Sequence, residues 1–278
     1  MTSSAVLVTG CSSGIGRATA LTLARAGLPT WATARRPETI EDLAGAGCRI
    51  LPLDVTDEDS CAQAVEAVEK EHGAVGALVN NAGYTQVGAV EELTLEQYRR
   101  QFETNVLGGI RLTQLVLPGM RAQRSGTVVY LGSGAGLVAP PASSAYAMTK
   151  FALEALSDAL RLEVTGFGVR VVLLEPGAVR TRLMDTGWDL QARTDSGSPY
   201  ATFMANVRAM TDRAHRPEAR NVLDAQAVAD VIVRAITSRR PRTRYPIGSG
   251  TRLAPLLRRL LGDRGWDRLM GRLVPFSG

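Results

Sequence analysis

The feature that most narrows what this chain can fold into is a rhythm. Short apolar runs recur at residues 5–9, 30–34, 49–53, 77–79, 127–131 and 170–174. Between them lie longer stretches with helical period, at 16–26, 60–71, 95–120 and 145–164. Strand and helix in alternation build right-handed crossover units on a parallel sheet. Runs that are apolar throughout need cover on both faces. The first 180 residues therefore predict an α/β fold, a doubly wound parallel sheet with helices on both sides. A chain of 278 residues could hold one such domain or two small ones, but no linker or repeat divides it. We read 1–250 as a single domain and 251–278 as an extension. Residues 182–220 break the rhythm, and so long an irregular stretch in a compact domain is a functional loop.

Charge sharpens the reading of the extension. The chain carries +5 overall, yet residues 213–278 hold 14 Arg against 5 acids, and the remainder is net negative. In Leu256-Leu257-Arg258-Arg259-Leu260-Leu261 the arginines alternate with leucines, the pattern of a basic amphipathic helix rather than a nucleic-acid surface. Such a helix could cap a pocket, add to an interface or touch a membrane surface. No apolar run is long enough for a span, and the N-terminus shows no secretory pattern. Cys11, Cys48 and Cys61 are odd in number and lack metal spacing, which predicts structural thiols in a reducing cytoplasm. His72 and His215 have no partner pattern and read as surface residues; no metal site is expected.

Two places carry chemistry. After the first strand comes Thr9-Gly10-Cys11-Ser12-Ser13-Gly14-Ile15-Gly16, which opens a helix. Glycines there allow close backbone approach, and free N–H groups at a helix start favour an anion. The spacing is G-x-x-x-G-x-G, not the commoner G-x-G-x-x-G. The second strand ends Ala34-Arg35-Arg36, where an Asp would hold a ribose hydroxyl and arginines accept a 2′-phosphate. This predicts NADP(H) over NAD(H). Asp54, in Leu53-Asp54-Val55, has two readings: an adenine contact, or a cap ahead of Thr56. The second place is Tyr146-Ala147-Met148-Thr149-Lys150. Four-residue spacing puts both side chains on one helix face. With 30 Arg and 2 Lys in the chain, a Lys here is chosen for more than its charge. A compact ammonium can lower a phenol's pKa and keep donors for a second ligand.

Together these residues resemble the short-chain dehydrogenase/reductase family. The likeness covers about 4–182 and adds Asn80-Asn81-Ala82-Gly83, Asn105, Ser133, Pro176-Gly177 and Thr181 in order. It implies a Rossmann-like fold, usually of seven parallel strands, the last here near 244–247. It implies a hydride transfer between NADP(H) and a carbonyl or alcohol, acting on CH–OH groups, with Tyr146 as general acid or base. Lys150 would tune the phenol and grip the nicotinamide ribose, Ser133 would bind the carbonyl oxygen, and Asn105 would hold a water linking Lys150 to solvent. Ser143 and Ser144 compete with Ser133 but sit too close to Tyr146 in sequence. Asn81, Ala82 and Gly83 would line the cofactor, as would Pro176, Gly177, Val179 and Thr181.

The expected substrate pocket, with Tyr84, Leu137, Val138, Met184, Trp188, Phe203 and Met204 from 84–88, 135–141 and 182–210, is apolar. It suits a steroid, retinoid, polyketide or aromatic carbonyl, although Arg180, Arg182 and Arg193 could bind an anionic one. The likeness also implies a homodimer or homotetramer through 95–120 and 145–164. A non-redox epimerase or dehydratase on the same scaffold, or a non-catalytic NADP(H)-binding regulator, are the alternatives.

Overall fold

The computed structural model describes residues 2–191, 197–216 and 222–275. The predicted rhythm is realised strand by strand. β1 (Val6–Val8) leads through α1 (Gly14–Arg25) to β2 (Thr30–Ala34), and a run of 3₁₀ turns (Pro37–Ala46) leads to β3 (Cys48–Pro52). α2 (Glu58–His72) returns the chain to β4 (Ala77–Asn80). α3 (Leu95–Phe102), a π-turn (Glu103–Leu107) and α4 (Gly108–Ala122) then precede β5 (Gly126–Leu131). α5 (Ser144–Val164) connects to β6 (Val169–Pro176), and the last strand of the sheet, β9 (Arg244–Ile247), falls where the family likeness put it. The seven strands form one parallel sheet in the order β3-β2-β1-β4-β5-β6-β9. The order reverses at β1, between β2 and β4. In open sheets of this kind, ligands bind in the crevice beyond the strand ends at such a switch.

Side chains alternate between two cores, one on each face. Leu7, Leu78, Val128, Tyr130 and Leu173 pack with α2, α4 and α5, whereas Val6, Val8, Val79, Val129 and Val172 pack with α1 and α8 (Ala225–Thr237). Leu7, Leu78 and Leu173 are fully buried, and each such side chain contributes about 1.5–3 kcal/mol by leaving water. Local chemistry fixes the helix ends. Asp57 caps α2 by accepting from the Ser60 N–H at 2.8 Å, and Thr94 and Gln97 form a reciprocal capping box on α3. All three cysteines are buried free thiols, and burial pushes Cys11 up to about 12.

Three expectations need correction. The stretch 95–120 is not one regular helix, because the π-turn interrupts it. The stretch 182–220 is largely helical where it is described: α6 (Leu183–Asp189) and α7 (Ala201–Ala214) lie there, after a two-residue strand β7 (Val179–Arg180) that pairs with β8 (Leu223–Asp224). The extension is a helix, α9 (Ser249–Leu273), but not a simple amphipathic one: it breaks at Gly262 (φ 64°, ψ 174°) and has no single apolar face along its length.

Candidate active site

One cleft of about 1070 Å³ runs past the C-terminal ends of the central strands. Its first wall is the predicted glycine loop: Gly10, Ser12, Ser13, Gly14 and Ile15 all line it. Ser13 caps α1 with no side-chain bond, and the first turn holds no acid. The positive end of the helix dipole is thus left for an outside anion. Gly14 has φ +57°, and a Cβ there would lie 2.9 Å from the Thr181 methyl. Gly16 does not line the cleft; it lets the loop fold on itself, since a Cβ would meet Asn81 Nδ2 and the Gly10 carbonyl, each at 2.4 Å. Asn81 donates to the Thr9 and Gly10 carbonyls at 2.7 and 3.1 Å, so it braces the loop as well as lining the cleft.

Beside the loop, Arg35 lines the cleft and is exposed, and its side chain has no partner among the described residues. Arg36 is exposed too but does not line the cleft. Asp54 and Val55 line it. The Asp54 Oδ1 accepts from the Thr56 N–H at 2.9 Å and hydroxyl at 2.7 Å, so it closes a turn before α2, while Asp57 is the cap itself. Ala82, Gly83, Pro176, Gly177, Val179 and Thr181 also line the cleft, as the likeness implied.

The reactive groups meet midway along it. Tyr146 and Ser133 both line it, and the Ser133 hydroxyl accepts from the Ala135 N–H at 3.1 Å. Ser144 instead pairs with the Tyr98 hydroxyl at 2.6 Å, and Ser143 donates to the Pro140 carbonyl. Lys150 is buried; it donates to the Leu131 carbonyl at 2.6 Å, and its Nζ lies 5.4 Å from the Tyr146 ring centroid. Burial pushes Tyr146 up to about 12, against the lowering effect of the Ser133 hydroxyl, and lowers Lys150 to about 8. The cleft by itself therefore raises the phenol: desolvation outweighs the lowering effect of Ser133.

Asn105 sits in the π-turn. Its side chain accepts from the Tyr84 N–H at 3.1 Å and donates to the Tyr84 carbonyl and the Thr149 hydroxyl at 2.9 and 3.1 Å. Beyond it lies a cavity of about 10 Å³, bordered by Asn105, Lys150, Asn80 and Thr9, which is room for a single water. The buried Asn80 Oδ1 has no partner among the described residues. Sequence reading gave Asn80 no role, because only the fold shows that this oxygen borders the same cavity as Lys150.

At the far end Tyr84, Val138, Met184 and Trp188 line the cleft as expected, whereas Leu137, Phe203 and Met204 do not. Met204 is buried in the body of the protein; α7 presents Val207 and Met210 to the cleft instead, and His215, which caps its C-terminus, lines it too. His215 is thus a wall residue, not a surface one. α9 forms part of the wall, one of the three roles open to the extension, and contributes Thr251, Ala254, Trp266 and Met270. Of the arginines near the loop, Arg180 pairs with Asp224 at 2.6 Å, Arg182 lines the cleft, and Arg193 lies outside the described residues.

Behind Pro176 sits a charged cluster that sequence reading missed. Arg244 pairs with Asp158 at 2.7 Å, Glu154 at 3.1 Å and Glu175 at 3.4 Å. Burial and the neighbouring Glu175 carboxylate raise Glu154, against the pull of the Arg244 guanidinium. Among the described residues, no group of three or more His, Cys, Asp or Glu is placed to hold a metal, and no helix is long and apolar enough to cross a membrane.

Comparison with known proteins agrees with this arrangement. The short chain dehydrogenase family model matches residues 4–191. The uncharacterized oxidoreductase YbbO of Escherichia coli is 34% identical over 266 residues, covering 95% of this chain and 93% of that protein. The NADPH-dependent 3-dehydrocapnine reductase of Ornithobacterium rhinotracheale is 32% identical over 273 residues, covering 95% and 94%. A short-chain dehydrogenase from Streptomyces avermitilis, solved as a crystal structure, superposes with a TM-score of 0.80 at 34% identity, covering 96% and 97%. A parallel seven-stranded sheet, a glycine loop at its switch point and these relatives lead to one conclusion: the chain belongs to the short-chain dehydrogenase family of oxidoreductases.

Proposed function

We propose that this chain uses NADP(H) to interconvert a ketone or aldehyde with the corresponding alcohol on a mainly hydrophobic substrate, with Tyr146 as the general acid or base. The observation that carries the reading is the position of the Tyr146–Ser133 pair, in one cleft between an anion-binding glycine loop and an apolar chamber. The loop fits a dinucleotide pyrophosphate: its turn closes only with glycine at Gly14 and Gly16, and the α1 N-terminus carries no acid of its own. Gly10, Ser12, Ser13, Gly14 and Ile15 would hold the phosphates, and Arg35 would meet a 2′-phosphate, with Arg36 nearby. Bound there, the cofactor supplies or accepts the hydride.

The protein's own part is proton handling. A phenol raised to about 12 remains protonated at neutral pH, and an alkoxide is a far stronger base than a phenolate, so Tyr146 is set to donate. Ser133 would hold the carbonyl oxygen beside it. In the oxidising direction Tyr146 must first lose its proton, which the Lys150 ammonium favours. The single-water cavity between Lys150, Asn80 and Asn105 supports a relay that restores the proton. Apolar lining from Val138, Met184, Trp188 and Met270 supports a hydrophobic substrate. Similarity to the NADPH-dependent 3-dehydrocapnine reductase of Ornithobacterium rhinotracheale supports both NADPH and the reducing direction. Exposed Leu107, Met148, Phe151 and Leu162 on the π-turn and α5 support assembly as a homodimer or homotetramer.

The test follows absorbance of NADPH and NADH over a panel of carbonyls. Turnover with NADPH on bulky apolar ketones is expected, and Arg35→Asp should shift the kcat/KM ratio toward NADH by about tenfold or more. A wild-type preference for NADH would overturn the cofactor reading; turnover confined to small polar carbonyls would overturn the substrate reading. Epimerisation without net NADPH consumption would overturn the redox reading.

A further inference from the structure

α9 has two apolar faces, and the cleft explains one of them. Thr251, Ala254, Pro255, Trp266 and Met270 line the cleft. Leu253, Leu256, Leu257, Leu260 and Leu261 point elsewhere: all five are exposed, Leu253 at 62% and Leu260 at 83%. Their spacing is i, i+3, i+4, i+7, i+8, one continuous stripe on a helix. Leucine stripes at this spacing normally face a core, and a soluble helix with one face already packed has no reason to keep a second.

Charge is arranged around the stripe. At about 100° per residue, Arg252 and Arg259 run along one edge of it. Past the break at Gly262, Arg264, Arg268 and Arg272 repeat at i, i+4, i+8, opposite the cleft-lining Trp266 and Met270. All five of these arginines are exposed, and residues 249–275 hold six Arg against two Asp. The outward side of this cleft wall is therefore leucine-rich in its first half and cationic in its second. That is the composition of a helix lying in a lipid interface, with leucines among the acyl chains and guanidinium groups at anionic headgroups.

We propose that the outward face of α9 docks on an anionic lipid bilayer. A second copy of the chain is the competing occupant, but it would have to bring one cationic face against another, whereas an anionic bilayer is complementary to both halves. The inference does not depend on the substrate reading, since it concerns the side of α9 that turns away from the cleft.

Flotation with vesicles tests it, using the full chain. Vesicles of phosphatidylcholine and phosphatidylglycerol in equal parts should carry the protein upward at low salt, and pure phosphatidylcholine should bind at least about tenfold more weakly. Leu256→Asp with Leu260→Asp should abolish flotation while reduction of a water-soluble carbonyl is unchanged, which also shows that the variant is folded. Arg264→Gln with Arg268→Gln should weaken binding about tenfold or more. No flotation of the wild type would overturn the proposal, as would undiminished flotation of the leucine variant. Light scattering without lipid closes the remaining route: a wild-type dimer that the leucine variant converts to monomer, with no vesicle binding, would assign the stripe to a second copy instead.

Discussion

At the phosphate end of the cleft, Gly16 leaves no room for one methyl group between Asn81 and the Gly10 carbonyl. At the substrate end, Met184 and Trp188 stand on a seven-residue helix outside the sheet, and the opposite wall is a helix broken at Gly262. The first region hangs directly on β1 and β4, whose side chains are almost wholly buried. The second is fastened by a few side-chain bonds, such as the Gln86 amide to the Leu190 carbonyl at 2.8 Å. The reaction geometry is thus built into the core of the fold, whereas the choice of substrate rests on elements that can be remodelled around it. Tyr146 and Ser133 stand where the two meet.

That contrast can be broken by experiment. Tyr146→Phe should have the largest effect, lowering kcat about 10³-fold while leaving NADPH affinity measured by fluorescence titration unchanged; an active variant would remove the phenol from the chemistry. Gly16→Ala should come next, destabilising the protein by about 1–3 kcal/mol in a urea titration and weakening NADPH binding, because the methyl must displace Asn81 or the Gly10 backbone. A variant as stable as the wild type would mean that the phosphate end is as adaptable as the other. Trp188→Ala should be mildest, raising KM for a bulky ketone about tenfold or less with stability and NADPH affinity unaltered. If it weakened NADPH binding as well, the two ends would not be separable.

The same division decides what could be read beforehand. Gly10, Gly14, Gly16, Tyr146 and Lys150 were legible because their geometry is local: a turn needs glycine within a few residues, and a helix repeats after four. The parallel α/β sheet was legible because each crossover leaves its own periodic stretch, although its strand order was not. Leu137, Phe203 and Met204 were misplaced because apolar composition marks burial without saying which cavity is lined. α6 was missed because its anchors are distant in sequence: Gly187 lies against Thr85, and the Leu190 carbonyl accepts from Gln86. The Arg244 cluster gathers groups from α5, β6 and β9, and only the sheet order brings them together. Tyr146 stood out by its spacing from Lys150, but the upward push on its phenol did not, because desolvation depends on everything that covers the hydroxyl.

The π-turn at Glu103–Leu107 has a consequence in the arithmetic of insertions. A π-turn holds one more residue than an α-turn, so the chain carries the equivalent of a single-residue insertion in the middle of one helical stretch. Without it, α4 would be rotated by about 100° relative to α3. Gly108, which packs against Val55, and Gly109, which packs against Tyr130, would then face elsewhere, while the capping box and the Tyr98–Ser144 bond at the α3 end would be untouched. The extra residue therefore works as a phase shifter. It lets one end of the stretch keep register with α5 and the other with the sheet, and Asn105 falls at the junction where the two registers are reconciled.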